Sequence, residues 1–228
     1  MKQPSTNFFS RLKRLFGLWG NLIAVSFQLI YGFWRLTGVK GPFVTIFGSA
    51  RLPQNDPYAK QAHELANMFV ESDISVLTGG GPGIMEAASC GALAVGKKNR
   101  SIGIGVTELG EGVNPCVQEY IELKYFFARK WLLTNYSVGF IVFPGGFGTL
   151  DELGEILTLI HTKKLPKVPI VLFGQEYWDY FMKWLEKDAL VHGAITEKDL
   201  KLFRVTDDID ETFTIIHDFC KEQEKVSC

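Results

Sequence analysis

Phe140–Glu155, FIVFPGGFGTLDELGE, is the stretch whose reading decides the fold. An apolar run ends at Pro144-Gly145-Gly146, passes Gly148-Thr149 and opens a helical pattern whose first turn is expected to carry Asp151 and Glu152. A strand that turns through glycines into a helix leaves several backbone N–H groups unpaired at one spot, with the positive end of the helix dipole behind them. That junction suits a phosphate, and glycine allows the close approach because it has no side chain to block it. An acid beside such a spot, as Glu152 is, is either a partner for the dipole or a reagent.

Outward from this junction the chain alternates strand and helix patterns. Phe43–Gly48, Ile74–Leu77, Ser101–Val106, Ile121–Lys124, Val138–Phe143, Pro169–Phe173 and Phe203–Thr206 read as strands. Helices are expected from Pro57, after Gly83, over about Phe127–Tyr136, up to about His161, over Tyr177–Leu190 and over Ile209–Glu222. Short continuous apolar runs separated by helices imply a parallel sheet covered on both faces, a Rossmann-like α/β domain. Residues 107–118, with Gly110, Gly112 and Pro115, read as a loop. The alternating glycines of Ser101–Val106, SIGIGV, resemble a dinucleotide fingerprint only at a glance, because they lie inside a strand and no helix follows directly. Trp178 and Trp184, with Tyr177 and Phe181, read as helix-packing residues.

A second strand–glycine–helix junction, Thr78-Gly79-Gly80-Gly81-Pro82-Gly83-Ile84-Met85-Glu86, precedes an alanine-rich helix. It is not a P-loop, since no Gly-Lys-Ser/Thr follows, and one such turn is equally well explained by tight helix-to-sheet packing. Two in one α/β chain favour a shared ligand cleft, with the small residues Gly48-Ser49-Ala50 after the first strand leaving room for it.

The 228 residues, 46% of them hydrophobic, suffice for one well-packed domain. The net charge of −1 gives no global sign of nucleic-acid binding, but it is unevenly spread: residues 1–55 hold seven basic residues (Lys2, Arg11, Lys13, Arg14, Arg35, Lys40, Arg51) and no acid. Cys90, Cys116, Cys220 and Cys228 lack CxxC spacing and a secretory context, so they read as reduced thiols of a cytoplasmic protein. His63, His161, His192 and His217 lack metal-ligand spacing, and no metal site is expected. The organisation is therefore an N-terminal basic and apolar helical segment, 1–40, followed by one nucleotide-binding domain, 41–228.

Between Arg14 and Arg35 lie twenty uncharged residues, long enough to span a bilayer. Asn21, Ser26 and Gln28 interrupt them, and Leu15, Leu18, Leu22, Val25 and Leu29 follow helical spacing. An amphipathic helix packed on the domain or on a partner subunit is the favoured reading, ahead of membrane contact through residues 15–34 or a targeting segment.

Pro144–Glu152, PGGFGTLDE, matches the PGGxGTxxE signature of the LOG family, many of whose members were described as lysine decarboxylases. The resemblance extends to Gly79–Met85 and to the Arg129-Lys130 pair, and so covers roughly Phe43 to Lys164. GGGPGIMEAA and FGSAR look more like the wider bacterial branch than the plant enzymes. The resemblance implies a Rossmann-like fold, usually dimeric, that hydrolyses the N-glycosidic bond of a nucleoside 5′-monophosphate to free base and ribose 5-phosphate, with no cofactor. It assigns catalysis to Arg129 and Glu152, and phosphate and ribose contacts to the glycine turns Gly79, Gly80, Gly81, Gly83, Pro144, Gly145, Gly146 and Gly148 and to Thr149; Met85, Glu86, Lys130 and Thr158 are further candidates for substrate contact, Glu86 being equally well explained as a turn cap and Lys130 as a solvated charge. A nucleotide or cofactor carrier of the same fold is the alternative. Asp151 remains a dipole partner.

Overall fold

The computed structural model describes residues 8–107 and 112–226, so Lys2, Gly110 and Cys228 lie outside the described residues. Seven parallel strands form one sheet: β1 (Phe43–Phe47), β2 (Ser75–Thr78), β3 (Ser101–Val106), β4 (Glu119–Leu123), β5 (Ser137–Val142), β6 (Ile170–Phe173) and β7 (Arg204–Thr206). Their order is β4-β3-β2-β1-β5-β6-β7. The chain builds outward from β1 in one direction, then returns to lay β5 against the other side of β1, so the topology reverses between β1 and β5. At such a switch point the loops leaving the carboxyl ends of the two strands diverge and open a crevice.

Helices cover both faces. Helices α2 (Pro57–Glu71), α3 (Ile84–Ala94) and α7 (Ile209–Val226) pack over one core layer, with Leu65, Phe69, Ile84 and Ile216 fully buried against Val44, Ile46 and Phe143. Helices α1 (Phe8–Thr37), α4 (Phe126–Asn135), α5 (Phe147–His161) and α6 (Gln175–Trp184) cover the other, where Leu132, Leu153, Ile156 and Trp178 meet Phe140 and Ile104. Continuous apolar strands are what a sheet buried on both faces requires, and β1, β2 and β6 are buried at every residue. Asp56 caps α2 by accepting the Tyr58 N–H at 2.8 Å, with Pro57 in the first turn.

Four sequence expectations change. Helix α5 starts at Phe147, because Phe147-Gly148-Thr149 is itself helical, so Asp151 and Glu152 lie beyond its first turn. The helix expected over Tyr177–Leu190 ends as α-helix at Trp184 and continues as a π-turn over Leu185–Ala189. Within α6 Trp178 is buried, whereas Tyr177 and Trp184 are exposed. Cys90 and Cys116 are joined in a disulfide rather than held as free thiols, since folding brings α3 beside the loop before β4 and closes a separation of 26 residues that no local spacing announced. Cys220 is buried and takes no part in that disulfide.

Candidate active site

The carboxyl ends of β1, β2 and β5 are stitched together by backbone. The Ser49 N–H donates to Pro144 O at 2.9 Å across the switch point, and the Ile84 N–H donates to Ser49 O at 3.0 Å. The second bond uses the first N–H of α3, so that helix start is turned toward the protein. Gly83, at φ +72°, is pressed so closely on Ser49 and Ala50 that an added Cβ would lie 2.2 Å from Ser49 O. The start of α5 differs: added Cβ atoms at Gly146 and Gly148 would meet nothing within 4 Å. The first turn of that helix, with its unpaired N–H groups and dipole, therefore opens onto free space.

That space is a cleft of about 600 Å³. Gly48, Ser49, Ala50 and Arg51 form one wall, Gly145–Leu150 and Glu152 the facing wall, and Met85, Phe126, Arg129 and Tyr177 close its ends. Thr149 is buried, its hydroxyl filling the place that a Gly145 side chain would take. Tyr177 donates its hydroxyl to Gly145 O and so holds the glycine turn from α6.

Arg129 sits in the first part of α4 and is only 6% exposed, yet it lines this cleft and also a small hollow formed by Gly79, Gly80, Gly81 and Tyr120. Its guanidinium stacks over the Phe126 ring at 5.7 Å, and its Nε finds no hydrogen-bond partner among the described residues. A buried guanidinium with an unused donor and no carboxylate paired to it among those residues is costly unless an anion completes it. Gly79 makes the position possible, because a Cβ there would lie 2.1 Å from Arg129 Nη2.

The triple-glycine turn is held from behind. Asn114, buried in the loop before β4, donates Nδ2 to Gly80 O and Gly81 O at 3.1 and 2.9 Å, and its own N–H to Gly80 O at 2.9 Å. Its Oδ1 accepts the Cys116 N–H at 3.1 Å, which ties the clip to the Cys90–Cys116 disulfide. The glycines of β3 serve the same corner: a Cβ at Gly105 would strike the Tyr120 hydroxyl, so Gly103 and Gly105 make room for that ring. Nothing in the sequence marked Asn114, Tyr120, Phe126 or Tyr177 for this site. Only the Asn-Pro dipeptide at 114–115, a turn-forming pair, hinted at a fixed bend.

The remaining sequence candidates fall elsewhere. Lys130 is turned toward α5, where its ammonium lies 2.8 Å from both Asp151 and Glu155. Burial works against that charge, but the hydrogen bonds and attraction of the two carboxylates outweigh it and hold Lys130 above its ordinary pKa. Asp151 is thus a strut between α4 and α5 rather than a dipole partner. Glu86 is half-buried and faces Gln54, whose amide also donates to Gly83 O at 3.0 Å. Thr158 donates to Gly154 O and lines a separate cavity of about 250 Å³ with His161, Asp199 and apolar residues.

A family model described as "Possible lysine decarboxylase" matches residues 85–216, more than half of the chain. A pyrimidine/purine nucleotide 5′-monophosphate nucleosidase of Escherichia coli is 35% identical over 131 residues, covering 53% of this chain and 29% of that protein. The chain therefore spans less than a third of that relative. A cytokinin riboside 5′-monophosphate phosphoribohydrolase of Rhodococcoides fascians is 27% identical over 177 residues, 76% of this chain and 88% of that one. A probable enzyme of the same name from Arabidopsis thaliana is 31% identical over 144 residues, 60% of this chain and 69% of its own. Among solved structures, the molybdenum cofactor carrier protein of Chlamydomonas reinhardtii superposes with a TM-score of 0.57 at 21% identity, over 80% of this chain and 99% of that one.

Proposed function

The chain belongs to the LOG family, described also as possible lysine decarboxylases, and from that membership and the cleft we propose that it hydrolyses the N-glycosidic bond of nucleoside 5′-monophosphates. The observation that carries this reading is Arg129: buried, with an unused Nε donor among the described residues, in the same cleft as Glu152 and the open start of α5. The unit proposed to act is residues 41–228, with residues 1–40 an added helical segment.

In this scheme the 5′-phosphate rests on the backbone N–H groups at the start of α5, over Gly146 and Gly148, with Thr149 at its edge. Cleavage breaks the bond from C1′ to the base nitrogen. The electron pair leaves with the base, positive charge grows on the ribose, and water supplies the oxygen to C1′ and the proton that the base acquires. Glu152 orients the ribose hydroxyls and stabilises the oxocarbenium-like state, as a carboxylate does in glycoside hydrolysis. Arg129 balances negative charge on the phosphate or on the departing base. Phosphate held far from the reacting bond contributes binding energy that fixes C1′ in place, so a nucleoside without phosphate is a poor substrate.

The older decarboxylase description finds no support in Lys130, which follows the cleft's arginine in the sequence. A Schiff-base lysine needs a lowered pKa, and Lys130 has two carboxylates raising its own. The test is direct: purified protein is incubated with a panel of purine, pyrimidine and cytokinin riboside monophosphates, and free base is followed by chromatography. Release from at least one, lost in Glu152→Gln with nucleotide binding retained, is the expected result. Binding without release from any of them would assign the protein to the carrier class of the same fold.

A further inference from the structure

The side of helix α1 that faces the domain combines apolar and polar contacts: Leu29 packs against the core and Val25 is half-buried, Gln28 Oε1 accepts the Lys124 N–H at 2.9 Å, Asn21 Oδ1 accepts the Tyr125 hydroxyl at 3.4 Å, and Arg35 pairs with Glu119. Gly32 lies against Leu132 of α4, and Leu36 is buried, which completes that seam. The opposite side carries Phe16, Trp19, Ile23, Phe27, Ile30 and Trp34, each between 55% and 69% exposed. Spacings of three, four, four, three and four put these six on one face of the helix, over a length of about 27 Å. Leu22, expected from the sequence to pack inward, is 58% exposed as well, and the side chains of Leu15 and Leu18 are not among those described. A contiguous apolar stripe of this size marks an interaction surface rather than a chance exposure.

Charge decides what covers it. The sequence puts Arg11, Lys13 and Arg14 in the first turns of α1, and residues 1–55 contain no acid. A second copy of α1 therefore offers no carboxylate to these residues, whether it runs parallel or antiparallel. An anionic lipid surface complements both the charge and the stripe, and Trp19 and Trp34, toward its two ends, are side chains suited to the boundary between water and hydrocarbon. Among the described residues no helix is long and apolar enough to cross a membrane, so α1 has the character of a helix lying in the plane of the surface.

We propose that α1 docks the protein on anionic lipid bilayers, with the Phe16–Trp34 stripe sunk into the headgroup boundary and the basic first turns held by lipid phosphate. This proposal does not depend on the reaction assigned to the cleft. The full-length protein is mixed with vesicles of phosphatidylcholine alone, or of phosphatidylcholine with phosphatidylglycerol, and floated on a density gradient. Flotation with the anionic vesicles, weakened by added salt, is expected. The triple variant Arg11→Gln/Lys13→Gln/Arg14→Gln should lose on the order of a hundredfold in partitioning, about fivefold for each basic residue near the surface. Trp19→Ser/Phe27→Ser/Ile30→Ser should abolish flotation while the thermal midpoint and nucleotide binding persist; should that variant not fold, the charge variant alone decides. Absence of flotation with anionic vesicles, or equal flotation with neutral ones, overturns the proposal. So does a lipid-free dimer that the stripe variant converts to monomer, because a second copy then covers the stripe.

Discussion

Gly79→Ala isolates the position of Arg129. Gly79 is not among the residues with positive φ, so alanine meets no backbone strain there and only space is at stake. The added methyl would sit 2.1 Å from Arg129 Nη2, 3.2 Å from its Cζ and 2.7 Å from Met85 Sδ. Met85 is a flexible side chain and can turn away, but the guanidinium must retreat from 2.1 Å to an ordinary contact of 3.4 Å, a shift of 1.3 Å. Misplacing a catalytic group by about 1 Å costs about a hundredfold in rate, or about 2.7 kcal/mol of transition-state stabilisation. The expected outcome is a fall of that size in kcat/KM for base release. The thermal midpoint should change only as far as modest overpacking allows, about 1–3 kcal/mol. Arg129→Ala should show a comparable loss, and the double variant no further loss, because both changes remove the same interaction. Turnover by Gly79→Ala within roughly threefold of the parent, or fully additive losses in the double variant, would refute the argument that this glycine exists to seat the arginine.

Gly148→Ala tests the other kind of glycine. A Cβ there touches nothing, so the variant should gain up to about 1 kcal/mol in stability, read by denaturant titration, while its affinity for nucleoside monophosphate falls because the methyl occupies the phosphate's approach. Reduction of the Cys90–Cys116 bond, or its replacement in Cys90→Ser/Cys116→Ser, should lower stability by about 3.5 kcal/mol on the chain-entropy estimate for a closure of 26 residues, measured against the oxidised protein in urea. Asp199 is held below the ordinary carboxylate range, first by the Thr196 backbone N–H, then by the Thr196 hydroxyl and by His161. A depressed carboxylate contributes stability above its unfolded pKa of about 3.9 and loses it as pH falls through the folded value, so Asp199→Asn should flatten the loss of stability below about pH 4.

The sheet was legible because a strand buried on both faces is dominated by apolar residues, as in β6 throughout and in β1 and β5 apart from Thr45 and Ser137, whose hydroxyls pair with each other. The two glycine turns were legible for a related reason: strand, glycines and helix follow each other within a dozen residues. What escaped the sequence depends on contacts between distant segments. Asn114 reaches Gly80 across 34 positions from a stretch that read as plain loop, and the same approach brings Cys116 to Cys90. Tyr177 was grouped with the packing aromatics of α6, yet one residue along the helix separates a buried Trp178 from a tyrosine in the cleft wall. In α1 the spacing of apolar residues pointed to a helix and, through half-buried Val25 and Leu29, to the side that faces the domain, but it did not show that Asn21 and Gln28 find partners on the same side, at Tyr125 and Lys124.

The signature Pro144–Thr149 shows how one residue type can answer two different demands in adjacent positions. Gly145 is required by the protein itself, since a Cβ there would lie 2.1 Å from the hydroxyl of buried Thr149. Gly146 and Gly148 have no close neighbour among the described residues, so no contact with those residues explains why a side chain should be absent from them. The same division holds across the cleft, where Gly79 yields to Arg129, Gly80 to Tyr120 and Gly83 to the backbone of Ser49. Every glycine of the second turn that has a close neighbour is thus accounted for by packing, and the start of α3 gives its first N–H to Ser49. The start of α5 is thus the side of the cleft whose glycines have no close neighbour among the described residues, and Arg129 lines the same cleft. An anion bound there would meet the N–H groups of one helix and the guanidinium of another, and this is the ground on which the proposed reaction seats its phosphate at Gly146–Thr149 rather than sharing it equally between the two turns.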